Sequence, residues 1–188
     1  PTLIDRAMQD EVRAGRLADV TVTMRPTVLT DADLDALAAL PNVAAVEPRS
    51  SVDVRVLIGD RRAPARVIGV RDFAHQGVDV ARVDSGAFPG SGELLSDVQN
   101  ANVGVFAGRA GDPVTVLDPG GAEHEFVLSG HGRTLPGGEQ VQDENVIVLY
   151  ATVDTVASLS GEPGFGQLAL RLDDPRPAAA EATVDDVR

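Results

Sequence analysis

Histidine and carboxylate side chains are the groups in this chain that could carry out acid–base chemistry or hold a metal ion. The three histidines are His75, His124 and His131. His124 and His131 are seven residues apart with a probable strand between them. Since side chains alternate along a strand, an odd separation points them to opposite faces. A zinc site needs three or four converging ligands, so the sequence predicts no metal site and no bound cofactor.

Acidic residues are grouped in three places. Asp31, Asp33 and Asp35 have the spacing with which a calcium-binding loop starts, but such a loop needs Gly at its sixth position and Glu at its twelfth. Those positions hold Ala36 and Asn42. We therefore interpret the first group as charges near a helix N-terminus, where carboxylates are stabilising. Two adjacent pairs are predicted to be solvated surface: Asp173-Asp174 and Asp185-Asp186.

Serine and glycine patterns give no catalytic site either. Ser129 and His131 are close in sequence, but no Gly-x-Ser-x-Gly nucleophile elbow surrounds Ser129. The Gly-rich stretch 86–92 is not a phosphate-binding loop, because it lacks the lysine that such loops carry. We therefore predict no catalytic residue and no enzymatic activity for this domain. A hydrolase with a site in the middle section, around His124 and His131, remains an alternative.

Composition excludes several classes of function. The net charge is −13, so a phosphate backbone would be repelled and nucleic acid is not an expected partner. Aromatic residues make up only 3% of the 188 residues, too few for a base-stacking platform. The absence of Cys excludes disulfides and thiolate catalysis. All 16 basic residues are Arg, which excludes Schiff-base chemistry. The chain starts at Pro1, and we expect it to be part of a longer protein.

The first section of the chain predicts two helices and several strands. Helical spacing of apolar residues predicts an amphipathic helix over 2–14. Thr30 is expected to cap a second helix, which Pro41 ends. Alternation of apolar and polar residues predicts strands over 19–25, 43–46, 52–58 and 66–71.

The middle section is Gly-rich and predicts short strands. One strand is expected over 93–96 and a helical turn over 98–103. Strands over 114–117 and 125–129 are expected to pair through the tight turn Asp118-Pro119-Gly120-Gly121. Residues 134–144 are polar and Gly-rich, which predicts a loop.

The last section repeats the order of elements in the first. A strand over 146–150 precedes a helix that Thr152 caps and Gly161 ends, a strand over 168–172 follows, and 178–188 is the final helix. Two strand–helix–strand units thus flank a β-rich section, which predicts an α+β fold with a mixed sheet.

This pattern divides the chain into three predicted parts. They are an N-terminal helix within 1–18, an α+β subdomain formed by 19–72 and 144–188, and a smaller β-rich inserted subdomain over 73–143.

Five short motifs in a fixed order carry a resemblance to a known family. They are Leu40-Pro41-Asn42-Val43-Ala44-Ala45-Val46, Val67-Ile68-Gly69-Val70, Gly86-Ala87-Phe88-Pro89, Gly92-Glu93-Leu94-Leu95 and Gly111-Asp112-Pro113-Val114. Over residues 19–172 they resemble the MacB-like periplasmic core domain, the extracytoplasmic domain of FtsX-like ABC transporter permeases. Asn42 stands where the family pattern has Gly, and the Arg of the third motif is absent. These motifs are structural, so no catalytic residue is carried over.

The resemblance implies a setting for the chain. It implies a non-catalytic, porter-like domain on the extracytoplasmic side of the bacterial cell membrane, anchored through flanking transmembrane helices that are absent from this chain. Such a domain would engage a substrate or partner and would be coupled to the movement of those helices. Residues 1–18 would be a stalk continuing from the first of these helices. The implied partners are the transmembrane helices of the same permease, an ABC ATPase subunit, and an extracytoplasmic substrate or partner protein. The alternative is a secreted or lipid-anchored binding module without a transporter role.

Overall fold

The computed structural model describes residues 16–102, 104, 106–133 and 146–187. Within these residues it has nine strands and four helices. The strands are β1 (Val20–Thr27), β2 (Val43–Ile58), β3 (Arg61–Val70), β4 (Arg82–Gly86), β5 (Glu93–Asp97), β6 (Pro113–Leu117), β7 (Glu123–Arg133), β8 (Ile147–Thr152) and β9 (Phe165–Leu172). The helices are α1 (Asp31–Ala38), α2 (Val98–Asn102), α3 (Val153–Ser160) and α4 (Pro177–Val187). All the strands join one mixed sheet, which confirms the predicted α+β class.

Six of these strands close into a barrel. The pairing runs from β2 to β3, β8, β5, β7 and β6, and β6 pairs back with β2. The β3–β8 and β5–β7 pairs are parallel and the others antiparallel. Side chains fill the interior of a barrel this small. Every barrel strand contributes a side chain that is at most 1% exposed: Val56, Val67, Leu94, Val116, Leu128 and Leu149.

The remaining strands form an open extension that we call the outer sheet, made of β1, β9 and the first half of β2 (43–49). Strand β9 lies in the middle and pairs antiparallel with both neighbours. One face of the outer sheet carries Leu168, Leu170 and Leu172, against which residues of α1 and α4 pack. Strand β1 is an edge of the whole sheet.

Strand β2 belongs to both units, and it contains both the extended piece predicted to start at 43–46 and the alternation predicted over 52–58. It is one strand of 16 residues. Its first half pairs with β9, and its second half pairs with β3 on one side and briefly with β6 on the other. The polar residues between the two apolar stretches, which hid this continuity in the sequence, lie inside the strand.

Local sequence signals account for the helix ends. Thr30 caps α1, and Thr30 and Asp33 form a reciprocal capping box, which satisfies backbone groups at the start of the helix. Thr152 caps α3, and Gly161 ends it in the left-handed conformation. Between α1 and β2, Asn42 has a φ of 67°, a left-handed backbone that favours Gly and tolerates Asn. This explains why Asn42 can occupy the Gly position of the family pattern.

Both predicted strand–helix–strand units are present, as β1–α1–β2 and β8–α3–β9. Strand β4 was not predicted. The predicted helix over 2–14 and the loop over 134–144 lie outside the described residues. Strands from the predicted insert complete the barrel together with strands from the flanking sections, and the division into subdomains stays a prediction. Among the described helices, none combines the length and apolar character that a membrane crossing requires.

Candidate functional site

The segment between β3 and β4, residues 72–81, covers the face of the outer sheet that lies opposite the helices. We call this segment the strap. Val78 is fully buried and Ala81 is 1% exposed, so the strap packs closely on the sheet. The face beneath it carries Glu47 and Ala169, which are cross-strand partners and are both buried. The strap therefore hides a mixed polar and apolar surface from water.

A buried ion pair fastens the strap to β2. Arg49 Nη1 donates to Glu47 Oε1 at 2.8 Å, and these residues are 8% and 5% exposed. The second Glu47 oxygen accepts from Gly77 N at 2.7 Å. Arg49 Nη2 donates to the backbone oxygens of Val78 and Asp79 at 3.1 and 3.3 Å. The pair thus satisfies three backbone groups of the strap that would otherwise be buried without partners, which is costly.

Asp79 lies close enough to this ion pair that the charges of Arg49 and Asp79 affect each other's pKa. Burial lowers the pKa of Arg49, while the charges of Glu47 and Asp79 oppose that shift. Burial raises the pKa of Asp79, opposed by its hydrogen bond from Ala18 N and by the Arg49 charge. Removal of one charge from such a cluster leaves its partner desolvated and unpaired.

The strap also holds the chain where it enters β1. Asp79 N donates to Arg16 O at 2.9 Å, and Ala18 N donates to Asp79 Oδ1 at 2.9 Å. Arg16 Nη1 donates to Gln76 O at 3.3 Å. Asp79 has a φ of 47°, a left-handed conformation that Asp adopts more readily than most residues. This geometry lets its backbone and its side chain bind the entering chain together.

Gln76 braces the strap from inside. Its amide nitrogen donates to Phe73 O at 3.0 Å and to Ala81 O at 3.2 Å. Its amide oxygen accepts from Ala81 N at 2.8 Å. One side chain thus ties the two ends of the strap together.

One ring of the strap, that of Phe73, forms an aromatic pair with Phe88, which follows β4. The rings of Phe73 and Phe88 are stacked with centroids 4.9 Å apart and an interplanar angle of 23°. Phe88 is 38% exposed, in a chain that has only five Phe, one Tyr and no Trp. An open groove of about 650 Å³ is lined by this pair, by Arg16 and by residues of the strap. A second groove of about 300 Å³ lies between α1, the first half of β2 and the strap. An exposed aromatic ring in a groove, such as that of Phe88, is typical of a surface that binds a partner.

A second buried polar group lies in the barrel wall. Tyr150 O–H donates to Asp97 Oδ2 at 2.7 Å, and both residues are buried. Burial raises the pKa of Asp97, and hydrogen bonds from Gln99 N and Tyr150 oppose the shift. Asn100 donates to Ser96 Oγ and to Val148 O nearby. These hydrogen bonds tie β5, α2 and β8 together, so we interpret the group as structural.

The histidines do not form a cluster with one another, and His75 and His124 contact different carboxylates. His75 is on the strap and is 84% exposed in its side chain, with Nδ1 2.8 Å from Asp72 Oδ2. His124 and His131 both lie in β7, and His124 Nε2 is 3.0 Å from Asp118 Oδ2. In the part of the chain that the structure describes, no three His, Asp or Glu side chains are grouped so that they could hold a metal ion.

The acidic residues have local roles. Asp33 is the capping-box partner of Thr30, whose hydrogen bonds lower the pKa of Asp33. Asp31 pairs with Arg71, which immediately precedes the strap, and Asp35 lines the smaller groove. Asp174 pairs with Arg176, which lowers the pKa of Asp174. The other members of the two acidic pairs are exposed: Asp173, Asp185 and Asp186.

The remaining motifs serve the backbone. Ser129 Oγ donates to Leu94 O at 3.3 Å. Gly86 and Gly130 face each other where β4 pairs with β7, and a Cβ on either would overlap the backbone of the other strand. The Gly that opens the third family motif is therefore required by the close approach of two strands.

Sequence reasoning did not single out Glu47, Arg49, Gln76, Asp79 or the Phe73–Phe88 contact. One signal could have found the first two. They are two residues apart, which places them on the same face of a strand. If β2 is one continuous strand, Glu47 and Arg49 lie on the same face of the outer sheet. There they can form an ion pair that another segment of the chain buries.

The chain matches no protein-family model and no curated protein. Its structure is similar to crystal structures of two transporter domains. For the extracellular domain of the noncanonic ABC-type transporter YknZ from Gram-positive bacteria, the TM-score is 0.54 at 10% identity, covering 87% of this chain and 86% of that chain. For the periplasmic region of MacB from Actinobacillus actinomycetemcomitans, the TM-score is 0.55 at 14% identity, covering 96% of this chain and 87% of that chain. The resemblance carried by the motifs is thus confirmed at the level of the fold.

Proposed function

We propose that this chain is the extracytoplasmic domain of a MacB/FtsX-type ABC transporter permease, without catalytic activity of its own. The observation that carries the proposal is the similarity to two such domains over 86–87% of their own lengths. Two independent features support it. The family motifs lie at structural positions of this fold, as Asn42 and Gly86 do. Among the described residues, no three His, Asp or Glu side chains are grouped so that they could hold a metal ion.

Under this proposal the domain is anchored through flanking transmembrane helices and faces the extracytoplasmic side. Its partners are those helices, an ABC ATPase subunit, and a substrate or partner protein outside the membrane. The stalk over 1–18 and the three-part division at 73 and 144 belong to the same proposal. The larger groove beside the strap is the surface that we expect to engage the external partner, because it combines the exposed ring of Phe88 with polar groups such as Arg16 and His75.

The topology of the complete gene product tests this function. The flanking sequence of the complete gene product should contain an apolar segment of about 20 residues on each side of the domain. Reporter fusions before residue 1 and after residue 188 should both report the side outside the cytoplasm. The strongest control is a fusion at the Gly59–Asp60 turn, which should report the same side as the rest of the domain. Polar flanks and a secreted product would overturn the permease assignment and favour the binding-module alternative.

A further inference from the structure

We propose that the larger groove binds an extended segment of a partner protein in which an acidic residue and an apolar residue lie two positions apart. Arg16 binds the carboxylate of that segment, and the ring pair of Phe73 and Phe88 contacts its apolar side chain. The inference deepens the proposed function, and it rests on that function only for the existence of an external partner. What it adds is the chemistry by which the groove recognises that partner.

The larger groove differs in charge from the rest of the chain. Acidic residues outnumber basic ones by 29 to 16 in the sequence, yet none of the described residues that line this groove is acidic. The lining includes Arg16 and His75. Since complementary charge selects partners and disfavours wrong ones, a basic groove on an acidic domain favours an anionic group at this place.

The two carboxylates of the strap are engaged outside the larger groove. Asp79 is 7% exposed, and its Oδ1 accepts from Ala18 N at 2.9 Å. Asp72 lines the smaller groove and pairs with His75. Because Asp72 offsets the charge that His75 carries when it is protonated, Arg16 is the cation that distinguishes the larger groove.

Arg16 is held in place and keeps donors for a ligand. The residue is exposed, and its Nη1 donates to Gln76 O at 3.3 Å. Gln76 is itself buried and is braced by its hydrogen bonds to Phe73 and Ala81. A guanidinium has five N–H donors in a planar fork. One bond to a carbonyl therefore leaves donors that can bind a carboxylate.

The apolar part of the site is the stacked pair of Phe73 and Phe88, with Val80 beside it in the lining. Phe88 is 38% exposed, so an apolar side chain that covers its ring removes apolar surface from water. Gln76 hydrogen-bonds to both Phe73 and Arg16, which places the ring pair and the guanidinium close together. A single short segment can therefore reach both.

The shape of the groove favours an extended polypeptide over a small molecule. Sites for small molecules bury most of the surface of the ligand, whereas this groove of about 650 Å³ is open. In an extended chain, residues two positions apart point to the same side. An acidic and an apolar residue at that spacing can thus face the groove together, while the residue between them points away from it.

The test titrates the 188-residue chain, with ¹³C in its five Phe rings, with the peptide acetyl-Gly-Leu-Ser-Glu-Ser-Leu-Gly-amide. This probe has Leu two positions from Glu on both sides, so it suits either direction of binding. A matched probe carries Gln in place of Glu. The Glu probe should shift the NMR ring signals of Phe73 and Phe88 and leave those of the buried Phe126 and Phe165 unchanged.

Two variants separate the charge from the apolar contact. Arg16→Gln should weaken binding of the Glu probe about fivefold, the upper range for an exposed ion pair, and leave binding of the Gln probe unchanged. Phe88→Ala should weaken binding of both probes to the same degree, because it removes the apolar contact. The matched control is Arg61→Gln at the start of β3, which removes the same charge from an exposed residue elsewhere and should change neither affinity.

Several results would overturn the proposal. They are equal affinity for the two probes, an equal loss in Arg61→Gln, and no shift of the Phe73 and Phe88 signals. A Phe88 signal that changes when the chain alone is diluted would assign the groove to a second copy and would overturn it as well. The topology fusions test the transporter role separately. Binding by a domain with polar flanks would support this chemistry and reject only the permease assignment.

Discussion

The barrel and the outer sheet share β2 but are stabilised differently. The barrel is closed, and its core is built from side chains such as Val56, Leu94 and Leu149 that are fully buried. The outer sheet is open at β1, and most apolar residues that pack on its three buried leucines are only partly buried. Its other face is held by an ion pair and the strap. Segments with few buried apolar contacts open at a lower free energy than a closed core. We therefore expect local opening to occur more readily in the outer sheet and the strap than in the barrel.

This difference fits the arrangement of the candidate site. The grooves and the aromatic pair lie at the strap, whose backbone is bound by buried charges of the outer sheet, and not on the closed barrel core. Three predictions test the contrast.

The largest effect is expected from Arg49→Met. It leaves Glu47 buried without its cation, and removing one partner of a buried pair costs about 3–5 kcal/mol of the free energy of unfolding. The matched control is Arg66→Met on the barrel, where the pair with Asp53 is exposed and is worth about 0–1 kcal/mol. Guanidinium unfolding followed by circular dichroism measures both variants. Equal losses of the free energy of unfolding would show that the buried Glu47–Arg49 pair contributes no more than the Arg66–Asp53 pair, which contradicts the prediction.

The second prediction compares the two apolar cores. Leu94→Ala creates a cavity in the closed barrel and should cost about 2–5 kcal/mol. Met24→Ala removes a partly buried side chain beside the outer sheet and should cost about 1 kcal/mol. Urea unfolding of both variants gives the two free energies. A loss at Met24 as large as that at Leu94 would contradict the difference between the two units.

A smaller loss than for Arg49→Met or Leu94→Ala is expected from Tyr150→Phe, which keeps the ring and removes the hydroxyl that donates to Asp97. A buried carboxylate oxygen that loses its donor costs about 1–3 kcal/mol. The effect should depend on pH, because the lost hydrogen bond stabilises the charged form of Asp97.

The sign follows from the raised pKa of Asp97. An acid whose pKa is raised by folding contributes stability below its ordinary pKa, and this contribution is lost as the pH rises through the raised value. The hydrogen bond from Tyr150 stabilises the charged form of Asp97 and so reduces the stability that is lost on deprotonation. The difference in free energy of unfolding between the original chain and Tyr150→Phe should therefore increase as the pH rises through the raised pKa of Asp97, and it should be smallest below the ordinary pKa of Asp. Unfolding curves measured across acidic to neutral pH test this. A deficit that does not change with pH would mean that the hydroxyl contributes only packing.

Most elements could be predicted from the sequence because their signals are local. The Thr30 and Thr152 caps, the Gly161 helix end and the Asp118-Pro119-Gly120-Gly121 turn depend on residues only a few positions apart. The continuity of β2 could not be predicted, since Glu47, Pro48 and Arg49 break the apolar alternation. Strand β4 was missed because its sequence, Arg82–Gly86, has only one apolar side chain.

The candidate site was the least predictable part. Phe73 and Phe88 are 15 positions apart, and Arg16 and Asp79 are more than 60 apart, so no local spacing connects them. Their meeting depends on the path of the strap over the outer sheet. Charged residues such as Glu47 and Arg49 also read as surface in a sequence, because only burial by a distant segment turns them into an internal pair.

The sequence by itself determined the class of the chain: an acidic α+β domain without cysteine or lysine, whose motifs resemble one family. These properties follow from composition and from short-range periodicity, which act before any distant parts meet. The tertiary structure alone decided that six strands close into a barrel, that β2 serves two units, and that a strap is held by buried charges. Those features depend on contacts between distant residues, whose free energy exists only once the whole sheet has formed.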